Sequence, residues 1–350
     1  MEALENLEGK QRERADALLE EAIFFNALDS TRIQQGDSAY IDKLARSRIT
    51  AVNHTMTESD SAMSALQCIS NWWQVYRQFP EKIVLGSSLD DITDAKKQKK
   101  VCVFFGFQTP DALEDELHMV EIFHALGIRF IQLTYQHKNS IGDGCGERTD
   151  CGLSRFGQRL VAALDDAGII IDLSHVGRQT TLDAIETSRN PVIITHTAAR
   201  ALCDTPRAKS DQEIQACADR GGVICISPKS GFLKPDGLST GTTLDDYIDH
   251  IEYVRKLVGI DHVGIGTDVG DERKYTRERM EAFHRKYPEV AIIDSTLRVD
   301  LMHTRHLDSP GKLYNVVAGL IARGFQDDEI FKILGGNVMR VLKKVWTNQG

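Results

Sequence analysis

The sequence predicts an α/β fold: a single (β/α)8 barrel of TIM type, with extra helices after the last strand. Three observations carry this. Eight short runs rich in Val, Ile and Phe recur along the 350 residues, at 23–28, 49–52, 101–107, 130–135, 169–175, 192–196, 223–227 and 263–268. They are mostly non-alternating, the pattern of a parallel strand buried on both faces. Helical patterns stand between most of them, and several of the runs end in polar residues. Barrel active sites collect at the C-terminal ends of strands.

The elements follow in order. Residues 11–22 read as an acidic amphipathic helix, so 1–22 is a helical extension ahead of the first strand. Residues 60–78 place Met63, Leu66, Ile69 and Trp73 at helical spacing. The helix expected at 110–126 opens on Pro110 and acidic residues, which suit a helix N-terminus. Further helices are expected at 156–167, before Gly168, and at 181–188, before Pro191. Two more are expected at 210–219 and 244–258. A long polar insertion at 270–309 follows the eighth run, and 310–346 forms closing helices. An open doubly wound sheet is disfavoured, because Gly106, Gly221 and Gly222 make no G-x-G-x-x-G turn. No repeat or linker divides the chain, so one domain over 1–350 is expected.

Composition narrows the function classes. The net charge is −9, which argues against a broad nucleic-acid footprint. No run approaches the ~20 apolar residues of a membrane span. The charged start MEALENLEGKQRERADALLEEA is unlike a secretory leader, so a cytoplasmic protein is expected. Seven cysteines without a C-x-x-C suggest neither a disulfide framework nor a zinc ribbon.

The strand ends carry the candidate chemistry. His175 and His196 end successive predicted strands and can converge on one ion, which zinc would suit. Water on such an ion becomes a usable hydroxide near pH 7. Asp268 ends the eighth run and either joins that centre or caps its own loop. Asp172 is read as a supporting partner behind the ligands or as a residue holding the loop. Gln108 ends the third run and is a weak ligand at best. Tyr135 can donate to a developing oxyanion. Asn139 and Asp143 stand in a turn-rich loop as candidate substrate contacts. Arg207 either clamps a substrate carboxylate or is a solvated loop arginine. His54 either reaches the site or is an ordinary loop histidine. His118, His124, His250, His284, His303 and His306 are assigned no function, and His262 is assigned to structure.

Several segments resemble the membrane dipeptidase family, also called renal dipeptidases or peptidase family M19. They are 103–108, 126–144 (LGIRFIQLTYQHKNSIGDG), 171–175, 194–197, 264–268 and the Asn-centred motif Gly335-Gly336-Asn337-Val338-Met339-Arg340. The resemblance implies an amidohydrolase-like barrel, a homodimer and a two-zinc centre that cleaves dipeptides. It matches His175, His196 and Asp268 to three metal ligands, and Arg207 to an arginine that holds the substrate carboxylate. The pattern breaks elsewhere. Leu28 and Ser30 stand where the first strand carries a His-x-Asp pair, Gln108 replaces a bridging glutamate, and Tyr135 stands where many members have histidine. Asn26, Asp29 and His54 are the nearby residues left to compensate.

The expectation is therefore a hydrolase holding zero or one zinc on His175 and His196, with Gln108 or water and Asp268 completing the site. Asp268 and Tyr135 would be catalytic. The substrate would be a small amide, a modified dipeptide or an N-acyl amino acid bearing a carboxylate. The alternatives are a lyase, decarboxylase or isomerase on the same barrel, or an inactive ligand-binding homologue.

Overall fold

The computed structural model describes residues 7–31, 38–57, 61–270, 276–290 and 298–347. Among these residues nine strands follow in chain order: β1 (Phe25–Asp29), β2 (Ala51–Thr57), β3 (Ile83–Leu85), β4 (Val101–Phe107), β5 (Ile128–Gln132), β6 (Ile170–Asp172), β7 (Ile193–Thr197), β8 (Val223–Ile226) and β9 (Val263–Ile265). Eight of them neighbour one another in the order β1-β2-β4-β5-β6-β7-β8-β9, and every pair is parallel. The eight expected runs all lie on this path. The ninth strand was not expected: β3 is three residues long and pairs with the first half of β4, while β5 pairs with the second half. So short a run carries too little pattern to read.

The barrel is nearly closed. β9 returns to β1 through Asp268 N donating to Leu28 O (3.1 Å) and Thr267 N donating to Asn26 Oδ1 (2.9 Å). Just after β9, Gly266 lies against the main chain of β7, since a Cβ there would stand 1.6 Å from Thr195 O. Asn26, a candidate compensating ligand, thus spends its carboxamide oxygen on this seam, which also receives Leu28 N at 3.4 Å.

Two apolar layers follow from strand alternation. Inside the base of the barrel, the Phe25 and Phe130 rings lie 6.0 and 6.2–6.3 Å from neighbouring rings around Phe104. The closing helix Asn337–Thr347 plugs that end with Val338, Val341, Leu342 and Val345. Outside the barrel, Val52, Phe105, Ile131, Ile171 and Ile194 pack against the helices. The Asn-centred motif anchors the plug: Asn337 Nδ2 donates to Ile260 O (2.7 Å) and Val263 O (2.8 Å). At Gly335 a Cβ would stand 2.3 Å from Ile23 O, so only glycine fits.

Element boundaries differ from expectation where side chains take over from the ladder. β6 ends at Asp172 and β9 at Ile265, short of His175 and Asp268, because Asp172 Oδ1 and Asn26 Oδ1 accept the next main-chain N–H groups. β5 starts and ends earlier than the run at 130–135. β2 runs on to Thr57, so His54 lies inside a strand rather than a loop. The expected helix 110–126 is split into Pro110–Leu113 and Met119–Ala125, with Glu114 and Asp115 left-handed between them (φ 51° and 58°). The segment 270–309 contains a helix, Arg277–Lys286, that was not expected; its residues 271–275 and 291–297 lie outside the described set.

His54 and Asp29 sit on the outer side of the barrel wall. His54 packs edge-on to Trp72 (centroids 4.5 Å apart), with its Nδ1 3.6 Å from Asp29 Oδ1. Asp29 accepts hydrogen bonds from Thr31 N (2.8 Å) and Tyr40 Oη (2.9 Å). Burial outweighs these bonds and raises its pKa from 3.8 to about 6.

Two outcomes follow. Asn337→Ala should cost roughly 2–3 kcal/mol in urea unfolding, because the buried Val263 carbonyl and the part-buried Ile260 carbonyl lose their donor. A folded pKa above the unfolded value means Asp29 stabilises the fold below pH 3.8 and loses that contribution as pH rises through about 6. Between pH 4 and 7.5, wild-type stability should therefore fall relative to Asp29→Asn by about 2 kcal/mol. Parallel stability–pH curves for the two proteins would refute this.

Candidate active site

The mouth of the barrel is organised by one buried carboxylate. Asp172, the last residue of β6, is 2% exposed and accepts four hydrogen bonds. They come from Ser174 N (3.0 Å), Ser174 Oγ (2.5 Å), Thr195 N (3.1 Å) and Thr195 Oγ1 (2.5 Å). Burial nevertheless leaves its pKa raised. Because Thr195 gives its proton to Asp172, its oxygen is the acceptor for His196 Nδ1, 2.8 Å away. The network so assigns the proton of His196 to Nδ1 and leaves Nε2 as a bare lone pair.

That lone pair meets the second imidazole. His175 Nε2 lies 2.8 Å from His196 Nε2, so His175 carries its hydrogen on Nε2 and donates. Its Nδ1 is buried without a hydrogen-bond partner among the described residues. Tyr135 stacks on His175 with centroids 4.3 Å apart, and Tyr287 from the long insertion meets Tyr135 edge-on at 5.7 Å. Burial, then the nearby positive charge of Arg207 for His175, pushes both histidine pKa values well below 6.5. Both rings are neutral at pH 7.

Asp268 closes the other side of the mouth. It is a non-glycine residue in the left-handed region (φ 49°), pinned by its N–H to Leu28 O. Aspartate tolerates that conformation better than most residues. Lys229 Nζ lies 2.6 Å from Asp268 Oδ2. Burial alone would raise the Asp268 pKa, but the Lys229 charge, helped by His196, holds it well below the usual carboxylate range. His303 Nε2 lies 3.3 Å from Asp268 O, and burial pushes the pKa of His303 down to about 4.

Of the expected residues, His175, His196, Asp268 and Tyr135 are at one mouth. Gln108 directly follows β4 there, its main-chain carbonyl bound by Gln132 Nε2. Arg207 is 1% exposed and lies against the pair, donating to Ser174 O and to His196 O (3.1 Å), with Phe232 5.0 Å from its guanidinium. A carboxylate would have to reach a guanidinium already bound at both terminal nitrogens. Asn139 and Asp143 hold their own loop: Asn139 bonds Leu133 O and Ile141 N, and Asp143 accepts from Cys151 N. Asn26, Asp29 and His54 are engaged at the seam and the outer wall. Sequence reasoning missed Lys229 and His303. Lys229 closely follows β8, at Ser227-Pro228-Lys229, so the strand-end rule used for the histidines also points to it.

Zinc fits this donor set poorly. A catalytic zinc usually has three protein ligands, and two adjacent dications need bridging anions. Here Leu28, Ser30 and Gln108 provide no anion, and the Asp268 carboxylate is paired with Lys229. The 2.8 Å between the two Nε2 atoms is a hydrogen-bond distance, shorter than the roughly 3.3 Å between two tetrahedral ligands at 2.0–2.1 Å from zinc. Among the described residues no group of three or more His, Cys, Asp or Glu side chains is disposed to hold a metal ion.

Known proteins share this architecture. An amidohydrolase from Pseudomonas aeruginosa superposes with a TM-score of 0.86 at 31% identity, over 95% of this chain and 99% of that one. A metallo peptidase from Rhodobacter sphaeroides, solved with a phosphinate mimic of the dipeptide L-Ala-D-Ala, shares the fold (TM-score 0.77, 17% identity, 93% of this chain and 100% of that one). Dipeptidase tcpJ of Claviceps purpurea is 26% identical over 297 residues, which are 84% of this chain but 62% of that protein. Among the described residues no helix is long and apolar enough to cross a membrane. The family model "Membrane dipeptidase (Peptidase family M19)" matches residues 31–291, beginning just beyond the strand that lacks the His-x-Asp pair. With that match over most of its length, the chain belongs to the membrane dipeptidase family, peptidase family M19.

Proposed function

We propose that the barrel mouth binds a small dipeptide-like amide, a modified dipeptide or an N-acyl amino acid, and hydrolyses its amide bond. The observation that carries this reading is the His175–His196 pair, 2.8 Å apart and backed by Thr195 and Asp172. His196 Nε2 is the basic lone pair of the site, held by the His175 N–H until an attacking water displaces that donor and hands over its own proton. It stays neutral at pH 7 because it is buried. Water adds to the amide carbon, the C–N bond breaks, and the proton passes to the leaving amine. Tyr135, stacked on His175, is the candidate donor to the oxyanion.

Two cations, Arg207 and Lys229, act on the histidine pair, and a carboxylate-bearing substrate suits that potential. Dipeptides are the substrate class that the name of tcpJ and the ligand of the Rhodobacter enzyme suggest. Zinc, if the protein takes it, would have His175 and His196 as its nitrogen donors, and Asp268 would have to leave Lys229 to join them. A cytoplasmic homodimer is part of the same proposal.

The test is turnover of a panel of dipeptides and N-acyl amino acids in oxygen-18 water. A hydrolytic product takes up solvent oxygen; a product without it overturns the reading. His196→Ala should lower kcat at least roughly a hundredfold in a protein that still melts cooperatively, as loss of a general base does. Elemental analysis after dialysis should return between zero and one zinc per chain, and two equivalents would refute the account of the donor set.

A further inference from the structure

We propose that Lys229 is a built-in cation standing where the mouth would otherwise use a divalent ion, and that its hold on Asp268 keeps that carboxylate from serving as a metal ligand. The ion pair is short, with 2.6 Å between Nζ and Oδ2, and its side chains are 22% and 9% exposed. A surface pair of this kind contributes little, but one withdrawn from water interacts strongly.

Both partners are fixed by their backbones rather than by each other. Lys229 is held in a strap: it forms an isolated antiparallel bridge with His303, Thr304 N donates to Pro228 O at 2.7 Å, and Ser230 N donates to Met302 O at 2.9 Å. Its ammonium also lies 5.5 Å from the centre of the Phe232 ring, a second stabilising contact for a cation. Asp268 is set by its own N–H on Leu28 O and by its left-handed backbone. The ammonium is therefore delivered to the carboxylate by the fold.

The surroundings fit the substitution. A divalent ion beside Asp268 would need further anions, and the strand ends around it carry Leu28, Ser30 and Gln108. Ser30 Oγ instead donates to the main-chain oxygen of Asp268 at 3.4 Å. One monovalent ammonium balances one carboxylate, whereas a dication there would leave a net positive charge facing Arg207. Lysine and metal are thus mutually exclusive claims on one carboxylate. This inference deepens the hydrolase reading, and its test needs no turnover.

Zinc is titrated calorimetrically into metal-free wild type, Lys229→Met, Lys229→Arg and the double variant Lys229→Met/Asp268→Asn, with Co²⁺ absorption as an independent readout of coordination. Lys229→Met should bind zinc about tenfold or more tightly than wild type, the size expected when a ligand is released to the metal. Lys229→Arg should behave as wild type, and the double variant should lose the gain. If Lys229→Met fails to show a native melt, Lys229→Gln replaces it. In the wild-type background, Asp268→Asn should leave the zinc affinity unchanged, because Asp268 is not available there. The proposal is overturned by equal affinity in wild type and Lys229→Met, by a gain that survives in the double variant, or by loss of zinc affinity in Asp268→Asn. Absence of turnover would sink the hydrolase reading and leave these titrations intact.

Discussion

The buried carboxylate of Asp172 is the constraint on which the rest of the mouth depends. Its four hydrogen bonds reach the main chain and hydroxyls of Ser174 and Thr195, so they tie β6 to β7 just beyond a ladder that pairs only Asp172 with Ile193. Ser174 Oγ then accepts the N–H of His196 at 3.0 Å, and Thr195 sets that ring's tautomer. Burying a carboxylate is unfavourable, and this one remains in place because its hydrogen bonds are all made inside the protein. The two histidines are consequently neutral, oriented and withdrawn from water.

Charge is distributed unusually for so polar a mouth. The positive side is carried by side chains, Arg207 beneath the histidine pair and Lys229 beside Asp268, and the negative side by Asp268 and Asp172. Arg207 bonds to main-chain oxygens of both histidine-bearing segments, so it braces the site whatever else it touches. The departures from the family pattern at Leu28, Ser30 and Gln108 belong to one consistent change: ligands, two of them anionic, are lost where a metal would need them, and a lysine stands against the carboxylate that remains. Belonging to the membrane dipeptidase family sets the fold. It does not by itself carry over the metal centre, which depends on residues this chain lacks.

The barrel was legible in the sequence because a parallel strand buried on both faces leaves a dense apolar run, and all eight runs proved to be strands. The positions of His175, His196 and Asp268 were legible for the same reason: in a barrel, a polar residue just after such a run emerges at the active end. Lys229 obeyed the same rule and was overlooked only because no histidine or carboxylate drew attention to it. His303 was not legible, since it reaches the site from an insertion with no strand pattern.

What the sequence by itself determined is the set of chemical groups available: two imidazoles, one carboxylate after the last strand, and no ligand atom at Leu28. Strand order followed as well, because short-range hydrophobic patterning specifies which residues must be buried. Tertiary structure decided how those groups are spent. It placed His54 against Trp72 on the outer wall, took Asn26 for the seam between β1 and β9, and brought Lys229 to within 2.6 Å of a residue 39 positions away. The physical reason is that an ion pair or a hydrogen bond depends on distance and desolvation in space. Neither quantity is encoded in the spacing of residues along the chain.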